Sequence, residues 1–479
     1  MKKIYIMLLS VVTISSCSDT EALSPVNQTR ISDANAFETP ERAAQQVLGM
    51  YSGVKAGNFY GGRYLNYQDI RGEEFNNETS NGVTNLFTWN FGIQSSTNEV
   101  NNLWYAAYLA INNCNVVIDG LTTSPISTEI KTEYEAEARF LRALSYFSLV
   151  TLYAKPYWES NGATPGLPLR LNAEKSAGNS DLVRSSVAEI YTQILADLDF
   201  AEANLNVTNS TAYNNTTRAH RNTAIALKTR VYLSMRQYNN VILEANKMVS
   251  NSAPFSASSG VSNSLAATIA SVFATPALTS ENIFSFAFSS TNTPGTQNSL
   301  VSYYSPTLGP GDYSLISTGI VSNVNWKTTD ARRALNISNA GKVYLNKWSK
   351  SPVDPDYVPV IRYSEILLNL AEAIVRNNSS IDTRAIALLN AVRQRSDATT
   401  VFTVVSFANA QDLLDKIAIE RRIELLGEGF RSLDVMRLGQ DFAAKGTALA
   451  VTSADAQYIW PIPLKEILYN KLCEQNPEY

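Results

Sequence analysis

The chain has 479 residues, 45% of them hydrophobic and 17% charged, and its 39 basic and 43 acidic side chains leave a net charge of −4. That apolar fraction excludes wholesale disorder, the lack of a basic excess argues against nucleic-acid binding, and no apolar run beyond the N-terminus reaches the roughly 18 residues of a membrane span. The single histidine, His220, excludes mechanisms that need two imidazoles, such as a His-rich zinc site or an HExxH protease.

The first segment reads as a targeting sequence. Met1-Lys2-Lys3 is basic, Ile4 to Ile14 is almost wholly apolar but too short to span a bilayer, and the run ends in Ile14-Ser15-Ser16-Cys17. Small residues before a cysteine at that place look like a lipobox, which predicts a signal peptide over residues 1–16 and lipid anchorage through Cys17. Residues 17–35 then read as a solvated tether. The remaining cysteines, Cys114 and Cys473, lie far apart in sequence and read as two buried free thiols, although an extracellular setting permits a disulfide.

Residues 36–479 read as one mainly α domain. Residues 133–155 place Ala136, Phe140, Ala143, Leu144 and Phe147 on one helical face, and Pro156 ends the run. A second helix is predicted over 185–205, with Ser185 or Ser186 as N-cap. Residues 218–237 and 238–250 form a pair in which small and large residues alternate, as in a tetratricopeptide (TPR) unit. Similar pairs occupy 361–376 with 382–396 and 410–426 with 429–438. The helical pairs thus cover about 97–250 and 361–440, without the strict period of a plain solenoid.

Two long insertions interrupt them. Residues 56–96 are rich in Gly, Asn and aromatics, and 251–355 in Ser, Thr, Asn, Gly and Pro, with a short strand predicted at Ile283 to Phe288. Flat rings edged by amides, carboxylates and guanidinium groups are what a sugar's apolar faces and hydroxyl rim require. The first insertion offers Tyr64, Asp69, Arg71, Trp89 and Asn90; the second offers Tyr303, Tyr304, Tyr313 and Trp326. The alternative is that these aromatics pack the insertions onto the helices; the two readings stand level for Trp89 and Trp326, and Tyr60 and Tyr67 read as core. Few cations lie in these stretches, mainly Arg63, Arg71 and Lys327, which favours a neutral saccharide over uronic or sulfated glycans. No nucleophile elbow, P-loop, dinucleotide fingerprint, CxxC or calcium loop stands out, so no enzyme activity, cofactor or metal is expected. His220, between Arg218 and Arg221 at a helix start, reads as a surface or capping residue.

Five segments in order resemble the SusD/RagB family of surface lipoproteins, which cap TonB-dependent outer-membrane transporters in Bacteroidetes. They are Trp104-Tyr105-x-x-Tyr108 with Ile111-Asn112 and Asn115; Glu137 to Ala143 with Tyr146-Phe147; Ile361 to Glu365 with Leu370 to Ala373; Glu420 to Leu425 with Glu428 to Arg431, Asp434 and Arg437; and Trp460 to Pro463 with Gln475-Asn476-Pro477-x-Tyr479. Glu478 departs from the Gly usual in the family, and Tyr469-Asn470-Lys471 from its Asn-Pro. The resemblance implies a TPR-like helical scaffold. It implies a non-enzymatic, cell-surface protein of the outer membrane that captures oligosaccharide and passes it to a SusC-like transporter, acting as its lid. Ser18-Asp19-Thr20-Glu21 resembles the surface-export signal of such lipoproteins. In starch-binding relatives an aromatic arc is drawn from the two inserted regions, which implies roles for Trp89, Tyr303 or Tyr304, and Trp326. Peptide cargo, as in the RagB branch, and a TPR-type protein-interaction scaffold are the alternatives. The motif residues Arg139, Arg142, Arg362, Glu365, Arg421, Arg422, Glu424 and Arg431 are expected to pair between helices rather than to meet ligand.

Overall fold

A computed structural model describes residues 35–176, 178 and 181–479. The predicted signal peptide, Cys17 and all but the last residue of the tether lie outside the described residues.

The helices follow from local patterning and caps. Helix α1 (Pro40–Val54) starts behind Thr39, whose hydroxyl accepts from the Arg42 amide, and has proline in its first turn. The first insertion contributes α2 (Arg63–Ile70) and the single turn α3 (Leu86–Trp89). Two 26-residue helices follow, α4 (Asn98–Thr123) and α5 (Thr128–Tyr153). Helix α5 begins earlier than the apolar stripe suggests because Ser127 caps it, and it stops before Pro156. Ser186 is the N-cap of α6 (Val187–Asn204), in a reciprocal box with Glu189. Short α7 (Ala212–Thr217) leads to the pair α8 (Arg221–Ser234) and α9 (Tyr238–Ala245). After α10 (Ile269–Phe273) and α11 (Leu300–Tyr304) come α12 (Tyr363–Asn378), α13 (Thr383–Ser396), α14 (Ala410–Glu424), α15 (Arg431–Leu438) and the terminal α16 (Leu464–Tyr469).

Chain neighbours pack on each other: α4 on α5, α5 on α6, α8 on α9 and α12 on α13, while α6 also packs on α8 and α9 on α12. One continuous apolar core runs from Ala43 to Cys473. The motif residues Arg142, Glu365 and Arg421 join helices across it. Arg142 holds Asp197 with two bonds of 2.6 and 2.8 Å, Arg230 holds Glu365 with two of 2.7 Å, and Arg421 grips Asp434 at 2.8 and 3.0 Å. The first two pairs are forked, the third shares one Nε–H between both carboxylate oxygens, and all three are charge-assisted, so they fix register as well as neutralise charge.

Most of the strands lie in the insertions and their flanks. β1 (Phe75–Asn77), β5 (Tyr313–Leu315), β7 (Lys342–Leu345) and β6 (Asn336–Asn339) form an antiparallel sheet in that order, so the two insertions are knitted together: Phe75 faces Leu315 and Asn77 faces Tyr313. β4 (Asn282–Phe286), close to the predicted strand, pairs with β8 (Val358–Arg362), and β2 (Pro165–Pro168) with β3 (Arg184–Ser186). A buried ion network fastens the second insertion to the C-terminal helices. Arg332 meets Asp330, Glu420 and Glu424, Arg362 meets Glu281, Glu424 and Glu428, and Arg395 meets Glu281 and Glu424. Removing one partner would leave a buried charge unpaired, which is the costly direction.

Candidate functional site

The insertions do meet, but they turn their rings inward. Trp89 is 4% exposed, and its Nε1 donates to the Phe75 carbonyl at 2.8 Å. Tyr303, Tyr304 and Tyr313 are fully buried. Tyr304 stacks on Trp348 at 5.6 Å and packs on Phe75 at 4.9 Å, and Tyr313 Oη donates to the Thr84 carbonyl at 2.6 Å. Trp326 is covered by Arg333, whose guanidinium lies 4.2 Å from the ring centre. Tyr64 packs on Tyr60 and Phe59, and Tyr60 and Tyr67 are core as expected.

The polar candidates are structural too. Asp69 accepts from the backbone N–H groups of Gly429, Phe430 and Arg431, capping the start of α15 from across the molecule. Burial pushes its carboxyl up to about 8 despite those donors. Arg71 donates to the carbonyls of Gln457 and Tyr458 and to Ser432, with Phe442 under its guanidinium at 4.5 Å. Asn90 alone is half-buried, and its Oδ1 accepts from the Gly92 amide in a turn. The expected stacking platform is therefore corrected: a ring with no open face cannot stack on a sugar. An aromatic-rich insertion needs a core of its own, and these rings supply it.

Exposed rings gather elsewhere. A groove of about 890 Å³ runs along the outer face of α4, within the range of ligand sites. Trp104 and Tyr108 form its floor, with ring centres 4.7 Å apart, and both tips are satisfied: Tyr108 Oη donates to the Pro168 carbonyl at 2.8 Å and Trp104 Nε1 to Glu466 at 3.2 Å. Tyr105, 70% exposed, and Tyr469, 79% exposed, stand at its edges. One wall is the strap 170–176. Asn112 exchanges two hydrogen bonds with the backbone of Glu174, and Asn115 donates to the carbonyls of Arg170 and Asn172. The other wall is α16, held by the Leu464 amide on the Ser95 carbonyl and by Asn470 on the backbone of Leu182. Arg170 joins the walls through Glu174 and Glu466; burial works against its charge, but the two carboxylates more than offset this and raise its pKa.

Tyr105 and Tyr469 were not singled out as ligand residues from sequence. The signal was a second stripe on α4, Asn101, Tyr105, Leu109 and Asn112, offset by one residue from the core stripe through Trp104, Tyr108 and Ile111. Tyr469 belongs to the tail, which reads as scaffold.

His220 is the residue before α8 and is fully buried, so it takes the capping position rather than the surface. Cys114 and Cys473 are both free and buried, with thiols that burial pushes up to about 12. Among the described residues no group of three or more His, Cys, Asp or Glu side chains is placed to hold a metal ion, and no helix is long and apolar enough to cross a membrane.

Comparison with known proteins gives a consistent picture. Residues 236–479 match the family model described as "SusD family", and residues 28–233 match one described as "Starch-binding associating with outer membrane". A SusD-like protein of Formosa agariphila is 23% identical over 99% of this chain and 98% of its own length. The crystal structure of a SusD superfamily protein from Bacteroides fragilis superposes with a TM-score of 0.82 at 31% identity, covering 91% of this chain and 99% of that one. A structure named as a laminarin-binding SusD-like protein superposes with a TM-score of 0.70 at 21% identity, covering 92% and 99%.

Proposed function

Because the chain belongs to the SusD family, a carbohydrate-binding and outer-membrane-associated group, we propose that it is a non-enzymatic glycan-binding lipoprotein that captures oligosaccharide outside the cell and hands it to a SusC-like TonB-dependent transporter. Cys17 is the lipidated residue in this reading, residues 36–479 act as one domain, and closure of that domain over the transporter buries the cargo between two proteins. Affinity is modest, since cargo that dissociates slowly would not be released to the transporter.

The observation that carries the reading is the groove along α4. It combines exposed rings, a wide cavity and polar edges, the combination that sugar binding requires. The test is affinity electrophoresis of the chain from Ser18 onward through gels containing laminarin, starch, xylan or galactomannan, with a peptide mixture as competitor. Retardation by at least one polysaccharide supports the proposal. Migration unaffected by every polysaccharide, together with peptide binding, refutes it in favour of peptide cargo.

A further inference from the structure

Most of the groove's charges are already engaged with one another. Arg170 lies between Glu174 at 2.7 Å and Glu466 at 3.2 Å, and Lys175 is held by Asp119 at 2.6 Å. Among the described residues, Lys465 is the one lining cation without an ion pair. A uronic or sulfated chain carries about one negative charge per ring and needs a comparable number of free cations. This groove offers one, so most of such a chain's charge would go unneutralised.

Its free hydrogen-bonding capacity has the opposite sense. The lining carboxylates Glu174 and Glu466 are acceptors and call for donors. A sugar hydroxyl donates and an ionised carboxylate cannot. Along α4 the lining runs from Asn101 to Asn115, which at the helical rise is about 21 Å, the length of about four pyranose rings in line.

Building on the glycan reading, we propose that the groove binds an uncharged oligosaccharide as an extended run of about four rings. Tyr105 on α4 and Tyr469 on α16 are its stacking platforms. Both tyrosines project into solvent, so truncating them leaves the fold in place.

The test is isothermal titration of the chain from Ser18 onward with laminari- and malto-oligosaccharides of two to seven units, and with an oligogalacturonate of seven units. For at least one neutral series, affinity is expected to rise up to about four units and then level off. The oligogalacturonate should bind at least ~10-fold more weakly. Tyr105→Ala and Tyr469→Ala should each weaken binding by about tenfold, the equivalent of ~1.4 kcal/mol, with unchanged melting temperature. If the wild type binds a neutral glycan and both variants bind it equally well, the groove assignment is overturned while the glycan function stands. Preferential binding of the oligogalacturonate overturns the charge argument. If no neutral oligosaccharide binds here and no polysaccharide retards the chain in the gels, both proposals fall.

Discussion

Lowering the pH from 7 to 5 tests the packing at the heart of the scaffold through its one imidazole. His220 is fully buried before α8, with Nε2 3.3 Å from the Ile283 carbonyl in β4. The neutral ring with its proton on Nε2 donates to that carbonyl. Burial penalises the cation and lowers the pKa from 6.5 to about 4. The folded value lies below the unfolded one, so the stabilisation is present above pH 6.5 and is lost as the pH falls through about 4. The full shift corresponds to about 3 kcal/mol, of which about 2 kcal/mol is lost by pH 5. Glu99 and Asp312 act in the other direction, because burial raises their carboxyls to about 7 and about 6, so their contributions grow on acidification. The His220 effect is therefore isolated as the difference between the wild type and His220→Gln, which keeps a donor for Ile283. Tag-free protein has one imidazole C2–H resonance, whose shift against pH gives the folded pKa directly. Denaturation at pH 7 and pH 5 gives the stability difference. A midpoint near 6.5, or parallel stability curves for wild type and variant, would refute the buried, neutral assignment.

Other outcomes follow from the same packing. Trp89→Ala and Trp326→Ala should each cost about 3–5 kcal/mol in denaturant unfolding, because both rings are core; wild-type stability in either variant would mean the ring is not packed as described. Glu372 is held by both terminal nitrogens of Arg437 at 2.7 and 2.8 Å, and although burial opposes ionisation, Arg437 and Arg376 bring its pKa down to about 2. That contribution should be intact above about pH 4.5 and fade as the pH falls toward 2, and Arg437→Met should cost about 1.5–3 kcal/mol at neutral pH, because Glu372 loses its forked partner and keeps Arg376 at 2.7 Å. Cys114 and Cys473 should resist a thiol-specific reagent in the native chain from Ser18 onward and react only after unfolding; fast native labelling would contradict their burial. Gly429→Ala places a side chain at φ +84° with its Cβ 3.0 Å from the Leu65 Cα, beside the amide that caps onto Asp69. A loss of about 1–3 kcal/mol is expected from melting curves.

Much of the scaffold was legible in the chain because its causes are local. The stripe through Phe140 and Phe147, the stop before Pro156 and the Ser186 cap specify helices within one or two turns of sequence. The motif arginines were legible as structural because a guanidinium among apolar neighbours must find a carboxylate; Asp197 and Asp434 are such partners of Arg142 and Arg421. The family, too, is written in ordered motifs.

Which way a ring faces was not legible. Trp89, Tyr303 and Trp326 have the composition of a sugar platform, yet β1 pairs with β5 across more than two hundred residues and turns these rings into the insertions' own core. The groove arises from Asn101–Asn115, the strap 170–176 and α16, three segments brought together only when the tail docks onto Ser95 and Leu182. Periodicity and capping are decided by neighbours in the chain, so sequence alone determined the helices and their charged clasps. Exposure is decided by what packs from elsewhere, so only the tertiary structure could leave Tyr105 and Tyr469 open to solvent while closing over Trp89.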